Sequence, residues 1–168
     1  MTSNNTNHWY PAYIGLGSNL QGPVGQLEAS FELLAAIKDT RLIRQSSLYR
    51  SAPFGGVEQP DFVNAAASLL TLLSAQELLA ELQRIENERG RDRGEVRWGP
   101  RVLDLDLLVY SNQIIEVAGL TVPHPGIGER NFVLLPLGEI APELEIPGLG
   151  KIGNLGAGSI EPGISRIG

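Results

Sequence analysis

The 168-residue chain contains no cysteine, a single methionine and only two histidines. Without cysteine it can form neither a disulfide framework nor a thiolate zinc site, and it has no thiol nucleophile. It also lacks an apolar run long enough to span a membrane, and its polar start has neither the charged flank nor the apolar run of a signal peptide. We therefore expect a cytoplasmic protein with no membrane partner.

The chain is also poor in positive charge. Its formal net charge is −6 at pH 7, so its overall field repels polyphosphates and nucleic acids. The arginines nevertheless crowd into one short stretch, at Arg84, Arg89, Arg91, Arg93, Arg97 and Arg101. The sequence therefore predicts a local anion site and no nucleic-acid partner, because a basic face with interleaved aromatic residues is missing.

Length and apolar content, 42 % of the residues, fit one domain over 1–168 with one core. A loose polar lead is expected at 1–9. A weakly structured, glycine-rich tail is expected at about 150–168.

Hydrophobic periodicity predicts strands at 12–17, within 42–49 and at 102–110, and helices at 23–38, 74–90 and 132–140. The segment 62–73 is ambiguous by period alone, but the glycine and proline before it and the helix directly after it favour a strand. Ser74 and Glu77 form the signature of a capping box at the start of the second helix. The order strand, helix, strand, strand, helix, strand is typical of a split βαβ unit. The predicted fold class is therefore α+β, a ferredoxin-like sandwich whose antiparallel sheet carries both of these helices on one face.

Asp104 and Asp106 lie two residues apart in a predicted strand, so both side chains leave the same face. Two adjacent carboxylates are favourable when they bind a hard divalent cation, and Mg²⁺ needs only one or two carboxylates besides phosphate oxygens. Taken alone, the pair fits a solvated strand face or salt bridges to the nearby arginines better.

Four arginines directly precede this strand, and Trp98-Gly99-Pro100 stiffens the link between them. Guanidinium groups suit phosphate because they stay charged and offer forked donors. A charge run is usually a solvated loop, but this concentration in an acidic chain favours a site for a metal-bound polyphosphate. His124 lies between two prolines, and with Arg130 it offers two further phosphate donors, although a lone histidine is more often structural.

Phe54, Phe62 and Phe132 could form an aromatic slot, although core packing is the simpler interpretation of each ring. Asn64 is more unusual, because an amide inside an apolar strand needs hydrogen-bond partners.

The segment 97–108, RWGPRVLDLDLL, resembles the signature of the 6-hydroxymethyl-7,8-dihydropterin pyrophosphokinase family. Further segments match in order, and the resemblance extends to about residue 145: 13–19 (YIGLGSN), 47–51 (SLYRS), 59–65 (QPDFVNA), 84–86 (RIE), and Pro123-His124 through Arg130 and Phe132. The chain departs from the family pattern at Pro125 and at Phe62, where members carry a polar residue and often a tyrosine, respectively.

The resemblance implies transfer of diphosphate from ATP to the hydroxymethyl group of the pterin, with AMP as the other product, in folate biosynthesis. It implies that Asp104 and Asp106 hold two Mg²⁺ ions. No dedicated general base is evident: Asp106 is one candidate because it would lie beside the metal-bound hydroxyl, and the alternative is that metal coordination alone lowers the pKa of that hydroxyl enough. The residues that it implies at the ATP phosphates are Arg91, Arg93, Arg101, His124 and Arg130, with Gln83 and Glu86 along the nucleotide. Those that it implies at the pterin are Asn19, Ser51, Phe54, Phe62, Asn64, Trp98 and Phe132, with backbone groups acting near Ser51 and Phe54.

We expect Arg91 and Arg93 to be catalytic together with the two aspartates, and 50–60 and 89–100 to be mobile lids that exclude water. The partners expected are the two small-molecule substrates, and a monomer is expected. The alternative is a non-catalytic module that senses a small anion on the same fold, but such a module has no need for paired carboxylates facing a phosphate clamp.

Overall fold

The fold is an antiparallel sheet with helices on both faces, seen in a computed structural model that describes residues 8–52, 58–90, 102–155 and 164–167. The elements are β1 (Tyr10–Ser18), α1 (Pro23–Ala35), β2 (Thr40–Gln45), β3 (Leu48–Ser51), β4 (Phe62–Thr71), α2 (Ala75–Glu88), β5 (Asp104–Tyr110), β6 (Ile115–Val117), β7 (Leu120–Val122), α3 (Asn131–Ile140), β8 (Glu145–Ile146), β9 (Gly150–Lys151) and β10 (Ile164–Ile167). Short 3-10 turns lie at Ile127–Glu129 and Ile152–Leu155.

The main sheet has six strands in the order β10-β3-β4-β1-β5, and β2 also pairs with β4. Strand β1 lies between β4 and β5 and is antiparallel to both. Strands β2 and β3 share the other edge of β4, where β3 pairs with its first residues and β2 with its last. This α+β arrangement confirms the predicted fold class.

The sequence predicts one strand within 42–49, but the structure divides it into β2 and β3. Between the two strands, residues 46–48 face only Ala65 and Ala66 of β4, so the segment carries one extra residue. The Ser46 hydroxyl accepts a hydrogen bond from the Ala66 backbone N–H at 2.8 Å and so replaces a bond of the regular ladder. A break made by one side-chain hydrogen bond leaves no periodic signal in the sequence.

The two faces of the sheet carry separate cores. On one face α1 and α2 pack against Ile14 of β1 and Leu105 of β5, as the sequence predicts. On the other face α3 packs through Leu134 and Leu137 against Ala66 and other sheet residues. Near the site, the α3 face is the one that carries the polar side chains.

A β-bulge in β5 changes which residues of that strand face α3. Tyr13 pairs with Val109, whereas Ile14 pairs with Leu107, so Leu108 is the extra residue. Before the bulge, Asp104 and Asp106 alternate with leucines buried under α1 and α2. After it, Leu108 and Val109 both join the core under α3. The strand thus changes from a polar face at the site to an apolar one beyond it.

Helix α2 begins with the predicted capping box. Ser74 accepts a hydrogen bond from the Glu77 N–H, and the Glu77 carboxylate accepts one from the Ser74 N–H, which confirms this prediction.

The prediction of a weakly structured tail is wrong for β9, the turn after it and β10. Strand β10 is ordered by pairing with β3. Most of the two predicted lids, at 53–57 and 91–100, lies outside the described residues. None of the helices in the described part of the chain is both long and apolar enough to cross a membrane.

Glu139 of α3 ties this helix to β3. Its carboxylate accepts hydrogen bonds from the Ser47 N–H at 3.0 Å, from the Ser47 hydroxyl at 3.0 Å and from the Tyr49 hydroxyl at 2.7 Å. Arg166 of β10 lies 3.8 Å from the same carboxylate. Burial and the hydrogen bond to Glu139 raise the pKa of Tyr49 to about 12. Burial alone would raise the pKa of Glu139, but the hydrogen bonds to its carboxylate outweigh burial and lower the pKa below 4.5. This group of Ser47, Tyr49 and Glu139, here called the clamp, therefore joins a neutral phenol to a charged carboxylate.

Tyr49→Phe should lower the free energy of unfolding by about 1–2 kcal/mol, because it removes one hydrogen bond to a charged and partly buried acceptor. The loss should be constant between about pH 6 and pH 9, where both groups keep their native charge states in the folded protein. Because the folded pKa of Glu139 is depressed, its stabilisation is present above the unfolded pKa and lost as the pH falls through the folded one. Urea unfolding at several pH values measures this loss. The control is Tyr13→Phe, since no described residue bonds to that hydroxyl; equal losses in the two variants would contradict the clamp.

Candidate active site

A pocket opens on the α3 face of the sheet, where β1, β4 and β5 meet the start of α3. It is lined by Gly15, Leu16, Gly17, Ser51, Ala52, Phe62, Asn64, Ala65, Asp104, Asp106, Arg130, Phe132 and Val133. Seven of the residues predicted from the sequence are among them: Ser51, Phe62, Asn64, Asp104, Asp106, Arg130 and Phe132. The structure thus places the predicted aromatic, amide and carboxylate groups together.

The floor of the pocket consists of two glycines of β1. Gly17 pairs with Asn64 on one side and with Asp104 on the other, and Gly15 pairs with Ala66 and Asp106 in the same way. A side chain on Gly17 would enter the pocket, since its Cβ would lie 3.3 Å from Asn64 Oδ1, whereas a Cβ on Gly15 would contact the Leu108 side chain at 3.4 Å. The glycines therefore keep the space between the amide and the carboxylates open. Sequence reasoning missed them, although glycines at alternate positions of a strand signal an open face.

Asp104 and Asp106 share this face, as their spacing predicts, and both line the pocket. His124 lies beside them, with its Nε2 3.9 Å from Asp106 Oδ1. The Gly126 N–H donates to His124 Nδ1 at 3.2 Å, so the neutral ring carries its proton on Nε2, toward Asp106. Burial, followed by the nearby Arg130 guanidinium, lowers the pKa of His124, and the charge of Asp104 opposes this change only in part. The ring is therefore mainly neutral at pH 7.

Arg130 precedes α3 and occupies the space left by a glycine. A Cβ at Gly126 would lie 2.8 Å from Arg130 Nε, so a larger residue there would displace the guanidinium from this position. The guanidinium carbon also lies 5.8 Å from the centre of the Phe132 ring, within the range of a cation–π contact. A fixed positive charge thus stands at the edge of a pocket that also contains two carboxylates.

Two amides are held by neighbouring segments. Asn64 donates from Nδ2 to the Ser51 hydroxyl at 2.7 Å, and both residues are buried. Asn19, predicted to line the same pocket, is 2 % exposed and donates to Gln59 Oε1 at 2.8 Å and to the Pro60 carbonyl at 2.9 Å. Asn19 therefore holds the segment that leads into β4, and it is not among the lining residues of the pocket.

The two residues expected along the nucleotide lie outside the pocket. Gln83 belongs to a shallow surface on α2 with Ala80 and Asn87. Glu86 is 6 % exposed, and its Oε2 accepts a hydrogen bond from the Leu105 N–H at 2.8 Å. Glu86 therefore holds the backbone between the two aspartates from behind. The remaining predicted residues, Phe54, Arg91, Arg93, Trp98 and Arg101, lie outside the described residues.

Residues 13–142 match the family model for 7,8-dihydro-6-hydroxymethylpterin-pyrophosphokinase. The chain belongs to this family. Its 2-amino-4-hydroxy-6-hydroxymethyldihydropteridine pyrophosphokinase relative from Haemophilus influenzae is 52 % identical over 136 residues, which cover 81 % of this chain and 84 % of the relative. The enzyme of the same name from Pseudomonas aeruginosa is 43 % identical over 155 residues, covering 92 % and 95 %.

Solved structures similar to this pyrophosphokinase family member include a Plasmodium falciparum HPPK-DHPS protein with pterin and p-hydroxybenzoate. It superposes with a TM-score of 0.73 at 16 % identity and covers 99 % of this chain. The chain spans about half of that protein, 47 % of its length. At this identity the likeness shows the fold, and it supports the ferredoxin-like α+β assignment.

The donor set of the pocket fits a magnesium ion. Two carboxylates on one strand face, with open space above two glycines, leave room for the phosphate and water oxygens that complete the coordination of Mg²⁺. Among the described residues, no group of three or more His, Cys, Asp or Glu is placed to hold a metal ion. The protein ligands that fit are therefore Asp104 and Asp106.

Glu86→Leu should lower the free energy of unfolding by about 1–3 kcal/mol, because it leaves the Leu105 N–H buried without its acceptor. The Leu105 amide should also exchange its proton faster, and NMR-detected hydrogen exchange measures this directly. The control on the same helix is Glu88→Leu, which removes only an exposed ion pair with Arg84 and should cost less than about 0.5 kcal/mol. An unchanged exchange rate at Leu105 would contradict the role given to Glu86.

Proposed function

We propose that the chain transfers the diphosphate group of ATP to 6-hydroxymethyl-7,8-dihydropterin and releases AMP and the pterin diphosphate. Family membership supports the reaction class. The observation that carries the proposal is that two phenylalanines and a buried amide adjoin two carboxylates and an arginine in one pocket. The phenylalanines and the amide suit a flat, polar heterocycle with a reactive arm, and the carboxylates and the arginine suit a metal-bound polyphosphate.

The pterin ring is proposed to lie between Phe62 and Phe132. Phe62 comes from the sheet and Phe132 from the helix that packs over it, so a flat ring can enter between the two layers. Aromatic stacking on a heterocycle supplies affinity without fixing orientation in the plane. Asn64 supplies that orientation, because an amide pairs with the hydrogen-bonding edge of the ring.

Asp104 and Asp106 are proposed to hold two Mg²⁺ ions together with ATP phosphate oxygens. The chemistry that Mg²⁺ supplies when bound is neutralisation of phosphate charge and a lowered pKa of the substrate hydroxyl. Asp106 remains the proposed general base for the hydroxymethyl proton. The hydroxymethyl oxygen then bonds to the β-phosphorus of ATP as the bond to the α-phosphate oxygen breaks, and AMP leaves.

Arg130 and His124 are proposed to contact the phosphates. Arg130 supplies a permanent charge, and His124 supplies a neutral Nε2–H donor. Arg91, Arg93 and Arg101 are proposed to complete this clamp, with Arg91 and Arg93 acting on the transferred group. Gln83 and Glu86 remain the proposed contacts to the nucleotide, with Glu86 better placed to position β5. Asn19, Phe54 and Trp98 are the further proposed residues of the pterin site.

We further propose a cytoplasmic monomer that acts on these two small molecules. Sedimentation velocity across a range of concentrations tests the oligomeric state. A mass that rises with concentration would contradict the monomer.

The product assay decides between this function and the alternative of an anion-sensing module. With ATP, Mg²⁺ and the pterin, mass spectrometry should detect AMP and a diphosphorylated pterin, and AMP should not form without the pterin. Asp104→Asn and Asp106→Asn should each lower kcat by at least about a hundredfold, because charge stabilisation is a large catalytic contribution. Asp39→Asn, on an exposed turn away from the pocket, is the control and should leave kcat unchanged. ADP as product would indicate a different kinase, and ATP binding without turnover would favour the sensing module.

Gly17→Ala should raise the KM for the pterin by about tenfold or more, because its Cβ would press on Asn64 Oδ1 and narrow the pocket floor. The backbone of Gly17 does not require glycine, so the melting temperature should change little. Steady-state kinetics with each substrate varied in turn measure the effect. Gly25→Ala is the matched control, since a Cβ there meets no atom within 4 Å. Wild-type pterin kinetics in Gly17→Ala would place the pterin elsewhere.

A further inference from the structure

The amide of Asn64 has its two ends in different surroundings. Its Nδ2 donates to Ser51 Oγ at 2.7 Å. Its Oδ1 lies on the side of Gly17, 3.3 Å from the position that a Cβ there would occupy. Within the described ranges, no donor contacts this oxygen. Asn64 is only 5 % exposed, so a buried acceptor is left without a protein partner in the lining of the pocket.

The strand that carries the Ser51 hydroxyl is held in place on several sides. Ser51 is 4 % exposed and pairs with Phe62 across β3 and β4. Strand β3 is fixed to α3 through its Tyr49 and through Ser47 directly before it, which both donate to Glu139, and to β10 by its outer edge. A hydroxyl on this strand can therefore impose an orientation on its neighbour.

Counting hydrogen bonds explains why the amide takes the observed orientation. With Nδ2 on Ser51, one amide N–H is bonded, and the carbonyl oxygen is free for a ligand. If the amide turned over, the hydroxyl could donate to Oδ1, but both N–H groups would then face the pocket unbonded. Buried N–H groups without partners are rarer than carbonyls without partners, so the first orientation is favoured in the free protein. Removing the hydroxyl removes this preference.

We infer that Ser51 is a positioning residue, whose hydroxyl fixes the Asn64 amide so that Oδ1 faces the substrate and selects a ring edge that carries N–H donors. The inference rests on the proposed function, in which a pterin occupies the pocket. It differs from the role expected for this segment, in which backbone groups near Ser51 contact the ring. Here the side chain of Ser51 acts through Asn64 without touching the substrate.

A fixed Asn64 Oδ1 would determine which ring edge the pocket accepts. The pyrimidine part of a pterin carries a 2-amino group and an N3–H, both donors. In a 2-oxo analogue, oxygen replaces the amino group, so an acceptor takes the place of a donor. A fixed Oδ1 discriminates against that analogue because two acceptors cannot pair, whereas a free amide can turn and present its N–H groups. Loss of Ser51 should therefore weaken discrimination more than it weakens turnover.

The test compares kcat/KM for the pterin and for its 2-oxo analogue in wild type, Ser51→Ala and Ser51→Thr. In Ser51→Ala the KM for the pterin should rise about fivefold to tenfold, and the preference over the analogue should fall by a similar factor. The KM for ATP and kcat should stay close to wild type. Ser51→Thr keeps the hydroxyl and should restore the preference. The control is Ser68→Ala, which should change neither value, because Ser68 is a buried serine of the neighbouring strand β4 with no side-chain hydrogen bond among the described residues.

Two further variants make the result decisive. In an Asn64→Ala background, Ser51→Ala should have no additional effect on pterin KM, because the hydroxyl acts only through the amide. Ser51→Cys keeps the size but offers a weak acceptor, so it should give an intermediate preference even if Ser51→Ala folds poorly. An equal loss for both substrates in the Ser51 variants, or an undiminished Ser51→Ala effect beside Asn64→Ala, would overturn the inference.

Failure of the proposed function would look different. If wild type formed no pterin-dependent AMP, or if Asn64→Ala left the pterin KM unchanged, the proposed site would be wrong and the inference would fall with it. If both behaved as proposed while Ser51→Ala kept the wild-type preference, only the inference would fail.

Discussion

The register of β1 between its two neighbours is the constraint on which the site depends. Asn64, Gly17 and Asp104 form one row across three strands, and Ala66, Gly15 and Asp106 form the next. Because side chains alternate along a strand, a slip of one residue in either pairing would send the amide or the carboxylates into the core under α1 and α2. That core fixes the register, since Ile14 and Leu16 of β1 are almost fully buried in it. The packing of one face thus sets the chemistry of the other.

The same rows explain why a small, acidic protein can have an open pocket in a packed sheet. Sheets normally fill both faces with side chains, and an empty position loses packing contacts. Here two glycines leave the centre of the row empty, while α3 covers the sheet beyond Leu108 and Val109. The loss of packing is confined to the two rows of residues, centred on Gly15 and Gly17, that face the pocket. Glu139 offsets part of it by bonding α3 to β3, and this holds together the two elements that carry Phe132 and Ser51.

The sequence predicts much of this arrangement because several signals are local. Alternation of aspartate and leucine in β5 predicts the shared face of the carboxylates, and the Ser74–Glu77 spacing predicts the start of α2. What the sequence does not predict depends on contacts between distant segments. The break at Ser46 comes from one hydrogen bond to Ala66, and the order of β10 comes from its pairing with β3. The burial of Glu86 behind Leu105 likewise requires the packing of α2 on β5, which periodicity alone does not determine.

The electrostatics of the site follow from the way in which one loop presents two different donors. In a chain of net charge −6, a phosphate site must gain its positive charge locally, and Arg130 is a permanent charge seated against Gly126. His124 lies near both this guanidinium and the aspartates, and burial keeps its pKa below the ordinary value. A second full charge there would be close to Arg130 and costly to bury. A neutral ring whose Nδ1 is already occupied by the Gly126 N–H still offers a directed Nε2–H donor. Gly126 therefore makes room for the charge of the arginine and also sets the tautomer of the histidine.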